Sequence, residues 1–221
     1  MARRSYDQYC AVARALDVVG ERWTLLVIRE LLPGPKRYKD LLEGLPGIGT
    51  NLLAARLRDL EAAGAIQRRM LPPPAGAVVY ELTDSGRELE SVVLDLARWG
   101  LKRMEQPRRR ESFRPDWYGV AMCAAFRPHA ARGVRETYEC RIGTDVFHLR
   151  VHDGSAEVGQ GSATSADLIV KADFKSLHAV VSGQVSPMEA IDSGRVEIQG
   201  DPAALQRCVE IFGLDSRGPR R

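Results

Sequence analysis

The chain has 221 residues, 44% of them hydrophobic and 28% charged, and its 32 Lys+Arg against 29 Asp+Glu leave a net charge of +3. This size fits one large domain or two small ones, and the composition excludes a wholly disordered chain. No apolar stretch approaches the ~20 residues that cross a bilayer, no secretory signal is visible, and Cys10, Cys123, Cys140 and Cys208 form no CxxC pair, so a reducing, cytoplasmic location without membrane contact is expected.

Charge is divided unevenly. Residues 1–110 hold 19 Lys+Arg and 14 Asp+Glu, a net +5, whereas residues 111–221 hold 13 and 15, a net −2. The basic half is where a polyanionic partner is to be sought. Residues 9–19 place Val12, Leu16 and Val19 on the inward face of a first helix, which Gly20 ends. Residues 23–32 are apolar nearly throughout and predict a buried second helix, stopped by Pro33-Gly34-Pro35. Residues 37–42 form a short third helix. A fourth, over residues 50–63, turns Leu53, Leu57 and Leu60 inward. It leaves Asn51, Ala54, Ala55, Arg58 and, at the flank, Arg56 outside. Small residues let a helix backbone approach base edges, and Asn and Arg can hydrogen-bond them; an ordinary surface helix has the same pattern.

Residues 66–71 and 78–82 read as two strands joined by a proline-rich tip. A final helix capped by Thr83 or Asp84 carries Leu89, Val92, Val93, Leu96, Trp99 and Met104 on its apolar side. The order predicts a mainly α winged helix-turn-helix domain over residues 1–106, with the fourth helix in the major groove and the hairpin along the backbone or minor groove. A polar linker over residues 107–117, containing Arg108-Arg109-Arg110, follows.

Residues 8–100 resemble the HxlR branch of the MarR-type transcriptional regulators. Five ordered blocks carry the likeness. They are residues 18–31 around Gly20-Glu21-Arg22-Trp23-Thr24, residues 35–42 beginning Pro35-Lys36-Arg37-Tyr38, Gly47-Ile48-Gly49-Thr50-Asn51-Leu52-Leu53, Arg56-Leu57-Arg58-Asp59-Leu60-Glu61, and Tyr80-Glu81-Leu82-Thr83-Asp84-Ser85-Gly86. The resemblance implies a homodimeric regulator, a repressor in the commoner family outcome. The first and last helices would form its interface, and two recognition helices would sit on a pseudo-palindromic double-stranded DNA operator. It further implies that Thr50, Asn51, Ala54 and Arg58 face the groove with Arg56 beside them, that Lys36 and Arg37 touch phosphate, and that Arg68 and Arg69 flank the wing. The family often has Ser where this chain has Gly49; capping by Thr50 in its place would shift the exposed set by one residue. Cys10 matches the position of a cysteine that senses oxidants or electrophiles in some relatives, although the proline that often follows is absent. A redox sensor and an inert thiol near the interface both fit.

From residue 118 the pattern changes. Residues 118–126 read as a helix or buried segment, and residues 136–142, 145–151, 155–159 and 166–172 as strands. Helices over 174–181 and 187–192, a strand over 195–199 and a last helix over 202–212 complete an α+β domain, residues 118–213, before a polar tail, 214–221. This half resembles the sterol carrier protein type 2 family. The likeness rests on Val151-His152-Asp153-Gly154, Ala166-Asp167-Leu168-Ile169-Val170, Leu177, Val180-Val181-Ser182-Gly183 and the run from Ala190-Ile191-Asp192-Ser193-Gly194 through Gly200-Asp201. It implies a sheet covered by helices, with an apolar tunnel for a lipid-like small molecule. Phe174, Leu177, Met188, Ile191 and Leu205 are its candidate lining, or they fill a solid core.

His148 and His152 lie ~13 Å apart on a strand, too far for one metal. No GxSxG, HExxH or phosphate loop is present, so neither catalysis nor a cofactor is expected. Three readings stand: a DNA-binding regulator whose second domain either senses an apolar molecule or supports dimer geometry, a thiol redox switch using Cys10, and a lipid carrier or accessory protein that uses the winged helix only for dimerisation.

Overall fold

A computed structural model describes residues 5–74, 76–101, 103 and 114–214, and the chain divides into two units, Met1–Leu96 and Ala97–Arg221. Met104, the triple arginine, most of the expected linker and the tail beyond residue 214 lie outside the described residues.

The first unit runs α1 (Ala11–Val19), α2 (Thr24–Leu31), β1 (Lys36–Arg37), α3 (Tyr38–Gly44), α4 (Thr50–Ala62), β2 (Ile66–Met70), β3 (Val78–Leu82) and α5 (Asp84–Arg87); α6 (Leu89–Leu101) begins in it. Its core joins Val27, Ile28 and Leu31 of α2, Leu41 of α3, and Leu53, Leu57 and Leu60 of α4, all at most 2% exposed. Spacings of three and four put the α4 leucines on one helical face. Each buried leucine of this kind stabilises the fold by about 1.5–3 kcal/mol. The architecture is a winged helix-turn-helix, its wing the antiparallel sheet β1-β3-β2.

Four local expectations change. Lys36 and Arg37 form a short strand against β3, paired Lys36 with Tyr80 and Arg37 with Val79, rather than opening a helix. The β3 edge supplies the hydrogen-bonding partner that holds these two residues extended. Helix α4 starts at Thr50 with Gly49 as its extended N-cap, so the exposed set does not shift. The final helix is two, α5 and α6, parted at Glu88. Thr83 is its cap: the hydroxyl accepts from the Gly86 amide at 3.1 Å and donates to the Gly64 carbonyl at 2.6 Å. A Cβ at Gly86 would stand 1.9 Å from the Ala65 carbonyl oxygen, so only glycine permits this approach. Last, two of the three residues expected on the inward face of α1 are exposed and the third, Val19, is buried as expected. Val12 and Leu16 are 66% and 42% exposed, while Ala13 and Val19 are buried.

In the second unit α7 (Pro115–Ala125) begins inside the stretch expected as linker. A 3-10 turn at Pro128–Ala131 leads to β4 (Arg135–Ile142), β5 (Asp145–His152), β6 (Ser155–Gln160), β7 (Leu168–Ala172), α8 (Phe174–Val181), α9 (Pro187–Asp192), β8 (Val196–Gly200) and α10 (Pro202–Ile211). The sheet order is β6-β5-β4-β7-β8, antiparallel except for the parallel pair β4–β7, and the unit is α+β. Asp173, Ser186 and Asp201 cap α8, α9 and α10 by accepting from amides of their first turns. Tyr138, Phe147, Leu149 and Leu168 are buried on the helix-covered side. On the other side the connection from β6 to β7 is clamped from beneath. Glu139, 2% exposed, accepts from the Ala163 amide at 2.7 Å, and His148 Nδ1 donates to the Gly161 carbonyl at 2.9 Å. Gly159 faces His148 across the strands, and a Cβ there would lie 2.4 Å from its Nε2.

Candidate nucleic-acid interface and C-terminal cavity

The α4 core stripe leaves Thr50, Asn51, Leu52 and Arg58 exposed, with Ala54 half-buried between them. Arg58 lies back along its helix, its Nε donating to the Ala54 carbonyl at 3.3 Å. That bond stays within its own helix. Leu52, 40% exposed, was missed from the sequence; its signal was that it falls off the Leu53-Leu57-Leu60 stripe. An apolar side chain there suits a thymine methyl.

Two expected cations do not belong to this surface. Lys36 is 6% exposed, and its Nζ sits 2.8 Å from Glu30 Oε2. β1 turns it inward, against α2, while its neighbour Arg37 stays exposed. Arg56, with a side chain 14% exposed, is held between Glu21 at 3.5 Å and Asp59 at 3.3 Å.

Arg68 and Arg69 are exposed on β2, and each meets a carboxylate the sequence reading overlooked. Arg68 makes two 2.9 Å hydrogen bonds to Glu61, and Arg69 donates to Glu81 at 2.9 Å. Arg68 holds the Glu61 carboxyl below its ordinary range. At Glu81 partial burial opposes ionisation, but hydrogen bonds from Gln67 and Arg69 together with the charges of Arg69 and Arg87 outweigh it, so its carboxyl is also lowered. Exposed pairs of this kind are weak in water, and a phosphate can take the carboxylate's place.

Cys10 is exposed and is the N-cap of α1. The amides of Ala13 and Val12, in that order, favour its thiolate and lower the thiol below its usual value. The other cysteines are buried; burial pushes Cys140 up to about 12.

In the second unit an apolar cavity of about 50 Å³ lies between sheet and helices. Leu177, Ile191 and Leu205 line it, with Cys140, Cys208 and Met122 among the others. Phe174 and Met188 do not. Phe174 packs on Tyr118 and on His178, with ring centroids 6.1 and 5.9 Å apart, and Met188 is 58% exposed. Ligand pockets run to roughly 300–1,000 Å³, so this space is too small for a sterol as it stands. Among the described residues no three His, Cys, Asp or Glu cluster as metal ligands, and no helix is long and apolar enough to cross a membrane.

Comparison with known proteins agrees with this division. Residues 18–108 match the HxlR-like helix-turn-helix model, and residues 125–213 match the SCP-2 sterol transfer family. The HTH-type transcriptional regulator sll1512 of Synechocystis sp. is 38% identical over 97 residues, 44% of this chain and 72% of that protein. The HTH-type transcriptional regulator YodB of Bacillus subtilis is 38% identical over 85 residues, 38% of this chain and 76% of that protein. Among solved structures, one assigned to the MarR family of transcriptional regulators, from Porphyromonas gingivalis W83, aligns with TM-score 0.42 at 27% identity, over 46% of this chain and all of its own. These likenesses each span less than half of this chain.

Proposed function

The chain belongs to the HxlR-like helix-turn-helix family of transcriptional regulators, and we propose that it is a cytoplasmic, homodimeric repressor that binds a specific double-stranded DNA operator. The observation that carries this reading is the exposed face of α4, where Thr50, Asn51, Ala54 and Arg58 stand over a leucine-filled underside. Asn and Arg on that face have the hydrogen-bonding groups that distinguish adenine and guanine in the major groove. Arg37, Arg68 and Arg69 are the phosphate-binding cations that flank it. Dimerisation is supported by two apolar stripes that a lone protomer leaves in water: Tyr9, Val12 and Leu16 near α1, and Val92 and Leu96 on α6.

The second unit is the regulatory half of the molecule, and no catalysis is assigned to it. Its cavity suits an apolar ligand, and the helices α8 and α9 must part for anything larger than a few atoms. Such a ligand changes DNA affinity only by binding the two DNA-binding states of the dimer unequally. The redox reading also has an observation in its favour, the exposed thiol of Cys10 at a helix N-terminus, beside the α1 stripe.

The test is binding of the full chain to genomic DNA fragments against random duplex, with and without added apolar compounds or oxidant. Enrichment of a palindromic sequence, released by one of the two treatments, supports the reading and chooses between the signals. Absence of any enriched sequence, with tight lipid binding, hands the chain to the carrier alternative.

A further inference from the structure

The recognition helix is connected to a charge pair that lies away from its exposed face. Glu30, on α2, is 1% exposed, and its carboxylate accepts from Arg29 Nη2 at 2.6 Å and Lys36 Nζ at 2.8 Å. The same carboxylate fills the space beside Gly44 at the end of α3; a Cβ there would stand 2.4 Å from Glu30 Oε2. Lys36 is in β1, hydrogen-bonded to the wing. Two residues on, the Tyr38 hydroxyl donates to the main-chain carbonyl of Thr50 at 2.8 Å, and Thr50 is the first residue of α4. One carboxylate thus touches α2, β1 and the end of α3, and a single tyrosine carries that placement to the first turn of the helix that meets DNA.

We propose that Glu30, Lys36 and Tyr38 form a positioning train that fixes the N-terminal turn of α4, and so determine operator specificity without touching DNA. The inference rests on the DNA-binding reading above. A buried ion pair is weak grounds for stability, because apolar residues of similar volume often serve as well or better. Its place in the fold is specific, however. The 2.8 Å contact of Lys36 with Glu30 anchors β1 against α2, and the pairing of Lys36 with Tyr80 and of Arg37 with Val79 fixes its register, so Tyr38 follows from a strand held on both sides. Random DNA is bound mainly through phosphates, which tolerate a shift of the helix, whereas base edges do not.

The experiment compares the full chain with two variants on two duplexes: an operator selected from genomic fragments by the parent protein, and a random sequence of equal length. Tyr38→Phe removes one hydroxyl and little packing. It is expected to keep the parent's melting temperature and random-DNA affinity while losing operator affinity by about fivefold. The double variant Glu30→Met/Lys36→Met exchanges the pair for apolar side chains. Arg29, which also bonds Glu30, stays in place and loses that carboxylate, so a lower melting temperature is expected, and the reading is taken at a temperature where the variant is folded: operator affinity down by about tenfold or more with random-DNA affinity kept. Adding Tyr38→Phe to it should cost nothing further, since both act on one turn. Parent-like operator affinity in Tyr38→Phe, equal losses on both duplexes, or fully additive losses each overturn the train. If the double variant does not fold, Tyr38→Phe alone decides. A parent that selects no operator defeats the DNA-binding reading itself, a result visible before any variant is made.

Discussion

The salt dependence of DNA binding discriminates between the cations this winged unit offers and those it conceals. Each protomer exposes Arg37, Arg68 and Arg69 near α4, while Lys36 is bound to Glu30 within the core and Arg56 is held by Glu21 and Asp59. If those three exposed arginines are the phosphate contacts of the proposed dimer, it brings six phosphate partners, rather than ten with Lys36 and Arg56 included. With about 0.9 counterions released per phosphate neutralised, the slope of log affinity against log salt is about −5, against about −9 had all ten taken part. Between about 0.05 and 0.2 M salt the difference is large, about a thousandfold loss of affinity against more than a hundred-thousandfold. Replacing Arg68 with Ala removes one cation from each protomer and should flatten the slope by about two. Fluorescence anisotropy on a random duplex, across a potassium chloride series, measures both quantities. A slope near −9 would return Lys36 and Arg56 to the interface and refute the assignment. An unchanged slope in the Arg68→Ala variant would mean that Glu61 keeps that guanidinium from phosphate.

Further outcomes follow from burial and charge. Because the Cys10 thiol lies below its ordinary value, more of it is thiolate at neutral pH, and iodoacetamide should alkylate it faster than a cysteine in an unstructured peptide. The advantage should shrink as pH rises past 9.0, where both thiols ionise, and equal rates at pH 7 would contradict the N-cap account. Leu16→Asp should leave protomer stability nearly unchanged, since the side chain is already 42% exposed, yet convert a dimer to monomers in sedimentation and abolish operator binding. A stable dimer of that variant places the interface elsewhere. Leu53→Ala, at a side chain 0% exposed, should cost about 2–5 kcal/mol in chemical denaturation; a loss below about 1 kcal/mol would show the site to be poorly packed.

Much of the architecture was legible because it follows from local rules. The Leu53-Leu57-Leu60 spacing identified α4, and Thr83 was one of two neighbouring residues whose side chains could cap the helix that follows. What escaped was set by partners distant in sequence. Lys36 and Arg37 look alike as adjacent cations, and only pairing with Tyr80 and Val79 turns one inward and leaves the other in water. Val12 and Leu16 announced an apolar face, and periodicity names such a face without naming what covers it. The distinction between Arg56 and Arg58 came from Glu21, a residue on another segment. In the second unit, α8 was visible as a helix, but which of Phe174 and Leu177 met the cavity depended on its rotation against the sheet.

The central place of β4 also orders the synthesis of the second unit. Tyr138 pairs with Leu149 on one side and Leu168 on the other, so the middle strand keeps a bare edge until β7 leaves the ribosome. A nascent chain that has reached β6 carries a complete winged unit joined to an unfinished meander, with Tyr138 and Cys140 lacking the cover of α10. Such an edge recruits other strands. A premature stop in this stretch would therefore yield an aggregating chain rather than a freed DNA-binding module, and the late elements α8 to α10 guard the solubility of the early ones.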